Sequence, residues 1–239
     1  MKAPLTKGQT AVAIVLAVII IDQIIKVWVK TSFYLGEDVE LTSWFHMRFI
    51  ENPGMAFGMT LGNKLFLTIF RIIAVSLLIW YITRLCRDKS ASKGYVACIA
   101  LITAGAGGNI IDCVFYGEIF NNPFPPEVAS VVPWGDGYGE LFHGMVVDMF
   151  YFPLFSFTWP EWVPLIGGKA FSFFDPVFNF ADAAITVGFI ILIFGYYRYL
   201  GGKKNGNDTE FGKKKRRWNI NRLKCQNKQT ENHCQYARM

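Results

Sequence analysis

Four stretches of this chain are almost free of charge over the length that a helix needs to cross a bilayer. Short basic connections and long acidic ones separate them. About 20 apolar helical residues cover the roughly 30 Å hydrocarbon core. Ala11–Val29, Leu65–Thr83, Tyr95–Phe115 and Phe180–Leu200 each meet that requirement. The first follows Lys2 and Lys7, as the core of a secretory signal would. No small-residue cleavage site follows it, and the helical pattern continues through Asp22, Gln23 and Lys26, so a retained span is expected.

The two long connections hold most of the mass outside the spans. Residues 39–50, VELTSWFHMRFI, alternate in the manner of strands. Residues 116–179 are rich in Pro, Gly and aromatics, including FYFPLFSFTWPEW at 150–162. The alternating aromatics suit either the core of a small sheet or a surface dipping into the lipid headgroups.

Charge sets the orientation. The first ten residues carry Lys2 and Lys7 with no acid, and Arg84, Arg87, Lys89 and Lys93 face only Asp88 between the second and third spans. Residues 31–64 hold two basic residues against four acids, and residues 116–179 one against seven. Lys and Arg concentrate in cytoplasmic loops, so both termini are expected in the cytoplasm and both long loops outside. The formal net charge of +6 would suit a nucleic-acid binder if it were spread over the body. Instead Lys203–Met239 carries eleven Lys and Arg against three acids, a net +8, and residues 1–202 are left at −2. The expected organisation is a membrane body at 1–202 and a disordered basic cytoplasmic tail at 203–239, either attracted to anionic lipid or acting only as a topology signal. Charged residues make up 18% against about 25% in soluble domains, which argues against disorder of the body and against an ordinary cytosolic enzyme. Five scattered cysteines and three distant histidines give neither a disulfide framework nor metal-ligand spacing.

The informative polar residues share a depth. Asp22 lies about 16 Å along the first helix at 1.5 Å per residue, which places it in the outer half. Asn109 and Asp112 fall near the outer end of the third span, and Asp182 in the first turn of the fourth. Asn52, Asp148 and Asn179 come from the outer loops. Ionisable groups in spans are costly and point to function. Each also has a structural reading: Asp22 can pair with Lys26 at i,i+4, Asp182 suits a helix N-terminus, Asn109 can cap a kink, and Asp148 can be a solvated loop carboxylate. Without Ser, Cys or His nucleophile arrangements, the group as a whole points to carboxylate chemistry. Two neighbouring carboxyls that share one proton can hydrolyse an amide, the ionised one taking a proton from water while the protonated one polarises the carbonyl.

These residues sit in blocks that resemble the lipoprotein signal peptidase (signal peptidase II) family. The blocks are DQIIK at 22–26, ENPGMAFGM at 51–59, AGAGGNIIDC at 104–113, HGMVVDMF at 143–150 and FNFADAAITVG at 178–188. The resemblance implies an all-α membrane bundle of four transmembrane helices with a small extracytoplasmic β-cradle, in the bacterial inner membrane. It implies an aspartic endopeptidase that cuts prolipoproteins before a diacylglyceryl-modified cysteine, with Asp148 and Asp182 catalytic. Asn52, Asn109, Asp112, Asn179 and Asp22 would form the substrate-binding or supporting shell. No metal or organic cofactor is implied. The partners would be the lipidated substrate, membrane lipid and the cyclic peptide inhibitor of the family, with no nucleic acid.

Two features depart from the family pattern. The arginine that follows the family's Asn-x-x-Asp is Cys113 here, which raises the questions of what balances Asp112 and what holds the substrate main chain. The stretches around 118–142 and 153–175 are longer than the family pattern and should enlarge the outer cradle. Other function classes that fit the composition are a small transporter with coupling carboxylates and a scaffold acting through its tail. The first is disfavoured because no inverted repeat is visible and the polar cluster lies at one edge rather than the midplane.

Overall fold

In the computed structural model, residues 4–53 and 64–200 are described. Most of the block at 51–59 and the whole basic tail lie outside them. Helix α1 (Lys7–Ser32) is opened by Thr6, whose hydroxyl accepts the Gln9 N–H at 3.2 Å while the Gln9 side chain accepts the Thr6 N–H at 2.9 Å. Strands β1 (Asp38–Thr42) and β2 (Phe45–Asn52) follow, then α2 (Lys64–Arg87). Helix α3 (Lys93–Ile111) starts at Ser92, which caps the Tyr95 N–H, and runs through a π-helical turn (Asp112–Tyr116) into the short α4 (Gly117–Ile119). Strands β3 (Val146–Tyr151), β4 (Phe155–Thr158) and β5 (Ala170–Phe173) precede α5 (Phe180–Leu200). The first, second and fourth expected spans lie within α1, α2 and α5, and the third, Tyr95–Phe115, runs through α3 into the π-helical turn; all four helical segments are apolar enough to cross a membrane. Their outward side chains, such as Phe66, Phe70, Ile73 and Leu77 on α2, are exposed, as lipid-facing positions are.

Helix α3 is the centre of the bundle. A Cβ at Gly105 would run into the Ala181 carbonyl oxygen and the Ile185 side chain of α5, and one at Gly108 would meet Asp22 Oδ2 at 2.7 Å. Small residues here allow the backbones the close approach that substitutes for hydrophobic driving force in lipid. Gly105→Leu is therefore expected to push α3 from α5 and cost about 1–3 kcal/mol or more by overpacking. Thermal unfolding in detergent would read this, and an unchanged melting temperature would contradict the contact.

Strands β1, β2 and β3 form one antiparallel sheet in that order. Its register slips between Met47↔Phe150 and Ile50↔Asp148, where Arg48 and Phe49 oppose Met149 alone. Such bulges re-aim side chains next to sites. Met47, Phe49, Val147 and Met149 pack with Val29, Tyr116 and Phe120, which fastens the sheet to the ends of α1 and α3. The Lys30 ammonium is buried in this layer, paired with Glu51 and within 6 Å of the ring centroids of Phe49, Phe120 and Tyr138.

The four helices and a small sheet are thus present as expected, and the strands make the fold a mixed one rather than purely helical. The segment at 153–175 adds no strand to that sheet. It pairs with itself as a β4–β5 ribbon, with Phe155 opposite Phe173 and Phe157 opposite Phe171. All four of these rings are exposed, whereas Phe150 and Tyr151, at the start of the same aromatic stretch, pack with the three-stranded sheet, so the stretch divides between the two readings. Within α5 the backbone leaves helical geometry at Tyr196 (φ −129°, ψ 17°), where the chain divides into two units.

Candidate active site

Asn179 is where local sequence and tertiary structure meet. It precedes Phe180 as the N-cap of α5, its side-chain oxygen accepting the Asp182 N–H at 2.9 Å. That bond orients the amide, so its NH2 group faces the sheet and donates to Asp148 Oδ1 at 2.6 Å, Asn109 Oδ1 at 3.1 Å and the Val147 carbonyl at 3.3 Å. The preceding residue, Phe178, is stitched to β3 through Phe150, with N···O distances of 2.7 and 3.0 Å in the two directions. The start of α5 is thereby fixed against the strand that carries Asp148.

The remaining residues join this junction. Asn52, at the end of β2, donates to Asp148 Oδ2 at 3.3 Å. Asn109 of α3 donates to Asp182 Oδ1 at 2.8 Å and accepts from Lys26 Nζ at 2.7 Å. Lys26 also lies 3.0 Å from Asp22 Oδ2 and 2.6 Å from Asp112 Oδ2, all three side chains fully buried. Asp22 takes the Ala181 N–H at 2.9 Å, a carboxylate at the N-terminus of α5. Gln23 donates to Asp112 Oδ1 at 2.8 Å and accepts from the Tyr116 hydroxyl at 3.1 Å, and the Val147 N–H reaches Asp112 Oδ2 at 3.4 Å.

All seven residues expected from the sequence therefore belong to one connected polar network. Asp22 and Asp112 are its ion-paired members, held on Lys26. Asp148 and Asp182 lie beyond the lysine, Asp148 receiving the amides of Asn52 and Asn179 and Asp182 that of Asn109. The Asp148 carboxyl is pushed up to about 7, first by burial and then by the negative charge of Asp182, against the pull of the Asn52 and Asn179 donors. Its neighbour is close enough for the two acids to be coupled. An arrangement of this kind, one carboxyl held near neutrality beside another, is able to keep a single proton between them.

Sequence reading passed over Gln23, Tyr116 and the second span. Gln23 stands in the DQIIK block, so its signal was available. None of the seven comes from α2, whose buried polar contact is Thr68, donating to the Phe142 carbonyl at 3.1 Å. Arg71, one turn further, donates to Cys113 Sγ at 3.2 Å.

Comparison with known proteins places this network in a family. Residues 14–198 match the family model described as Signal peptidase (SPase) II. The chain belongs to the signal peptidase II family. A lipoprotein signal peptidase of Porphyromonas gingivalis is 46% identical over 204 residues, covering 84% of this chain and 90% of the relative. One of Amoebophilus asiaticus is 39% identical over 186 residues, covering 75% and 74%. A solved bacterial membrane enzyme, determined by the in meso method at 2.3 Å resolution, aligns with a TM-score of 0.55 at 24% identity over 82% of this chain and 92% of its own. As a signal peptidase II, the chain is a protease of lipoprotein maturation and a multi-pass bacterial membrane protein.

Proposed function

We propose that this signal peptidase II cleaves diacylglyceryl-modified prolipoproteins just before the lipidated cysteine, with Asp148 and Asp182 activating water. The observation that carries the reading is the junction at Asn179, which holds two carboxyls from different elements beside each other at the head of an apolar bundle. The ionised member takes a proton from water as its oxygen attacks the scissile carbonyl. The protonated member donates to the carbonyl oxygen, and the tetrahedral diol collapses as a proton passes to the departing nitrogen. Asn52, Asn109 and Asn179 orient the pair, while Asp22 and Asp112 brace α1, α3 and α5 through Lys26. The distribution of Lys and Arg supports cytoplasmic termini and a site on the outer face, with residues 1–202 as the peptidase and 203–239 as a cytoplasmic tail. Small outer-sheet strands would cradle the substrate.

The mechanism has a pH signature. One shared proton persists below about pH 7 and is lost above it, given an Asp148 carboxyl at about 7. Turnover of a fluorogenic diacylglyceryl peptide by purified protein should fall with rising pH above that point, approaching about tenfold per pH unit. A rate that climbs steadily from pH 6 to 9 would be incompatible with a proton-sharing pair. Stability follows the same group. Folded Asp148 holds its proton more tightly than an unfolded carboxyl at about 3.9, so its contribution declines as pH rises from about 4 to about 7 and is constant above.

A further inference from the structure

We infer that Arg71 of α2 is the substrate-binding cation of this enzyme, holding main-chain carbonyl oxygens beside the scissile bond from the position that Cys113 leaves without charge. The inference rests on the proposed peptidase reading and adds a residue to it. Arg71 lies seven residues, about 10 Å, along α2 from Lys64, in the apolar part of a membrane-spanning helix. An ionisable side chain there is costly and calls for a partner.

The Arg71 guanidinium reaches a neighbouring element. It crosses to the π-helical turn and donates to Cys113 Sγ at 3.2 Å. That turn borders the reaction centre. Asp112, the preceding residue, receives the Val147 N–H, and Val147 adjoins Asp148. The Cys113 carbonyl accepts the Gly144 N–H at 2.9 Å, and Thr68, one turn from Arg71 on α2, holds the Phe142 carbonyl. Arg71 therefore stands in the wall formed by the chain leading into β3. Elsewhere in the network, Lys26 faces Asp22 and Asp112, and the amides of Asn52, Asn109 and Asn179 are directed at the aspartates.

The chemistry fits a peptide. A segment extended for cleavage at the edge of a bilayer loses its helical hydrogen bonds, and bare carbonyls are expensive there. A planar guanidinium offers several fixed N–H donors and stays charged when desolvated. The motif that resembles 104–113 carries its arginine at position 113. Here the residue at that position is Cys113, and a guanidinium from another helix stands against its side chain.

The test uses full-length protein in detergent and a fluorescent diacylglyceryl lipopeptide spanning the cleavage site. In the Asp182→Asn background, Arg71→Ala should weaken binding by about ten- to a hundredfold, the range for losing charge-assisted hydrogen bonds. Arg71→Lys should lie between. With both aspartates present, Arg71→Ala should lower kcat/KM chiefly through KM and leave the pH profile unmoved, whereas a purely structural role would shift melting temperature and profile together. Adding Cys113→Arg to Arg71→Ala should restore binding to within a few-fold. Unchanged affinity in Arg71→Ala, or no rescue by Cys113→Arg in protein of wild-type melting temperature, overturns the assignment. If the wild type binds but does not cleave, the peptidase reading falls, and the binding arm still decides the role of Arg71.

Discussion

Asp148→Asn and Asp182→Asn should each reduce turnover of a diacylglyceryl prolipoprotein by at least about a thousandfold, while the variants still insert and fold. The expectation follows from the division of labour between the two acids. An amide in place of either one can neither take the proton of water nor pass one to the leaving nitrogen, and such proton transfers contribute about 10²–10⁴-fold each. The two substitutions should not be additive, because the acids act as a unit. Stability should respond in the opposite direction at Asp148. Its carboxyl is buried, and ionising it beside Asp182 is unfavourable, so a neutral amide removes that penalty above pH 7. Asp182→Asn should also lower the titration of Asp148 by removing a like charge, a shift that infrared spectroscopy of the carboxyl band can follow. Wild-type turnover by either variant would remove the pair from the mechanism, and a variant that is both inactive and misfolded would locate the effect in the Asn179 junction instead.

The chain disclosed its spans because a lipid-facing helix must be apolar over its whole length, and that requirement is local. Of the seven residues of the proposed site, Asp22, Asn109, Asp112 and Asp182 were legible because a carboxylate or amide in or at the end of such a segment is costly, while Asn52, Asp148 and Asn179, in the outer connections, stood out through the sequence blocks that carry them. What stayed hidden depends on contacts between elements. Asp22 and Lys26 are visible as an i,i+4 pair, but only the packing of α1 on α3 brings Asp112 onto the same ammonium. That contact answers what balances Asp112 when Cys113 replaces arginine. Asp112 opens the π-helical turn and Asp148 pairs beside the β2 bulge, and neither irregularity has a sequence signature of its own. Arg71 was the hardest to see. A lone arginine in an apolar helix reads as a lipid-facing interruption until its partner, 42 residues away, is known. The β4–β5 ribbon failed differently: alternating aromatics announce strands but do not say whether protein or another medium will cover them.

Lys26→Met should cost about 3–5 kcal/mol, the usual range for deleting one partner of a buried ion pair, and is expected to be the most damaging substitution outside the pair of acids. Two carboxylates, Asp22 and Asp112, depend on this ammonium, and none of the three side chains has any exposure. Methionine matches the stem in volume, so packing is preserved and the loss is electrostatic. Against a total stability of about 5–15 kcal/mol, that is enough to lower the detergent melting temperature sharply and to reduce the folded yield. The residual folded protein should also be slow, since Lys26 holds Asn109, which in turn holds Asp182. Adding Asp112→Asn should recover part of the stability by removing one stranded charge, and Asp22→Asn should recover less, because Asp22 also accepts the Ala181 N–H at the start of α5. A melting temperature for Lys26→Met within a degree or two of wild type would contradict the dependence of Asp22 and Asp112 on this ammonium. The ammonium would then be a hydrogen-bond donor to Asn109 rather than the counter-charge of the bundle.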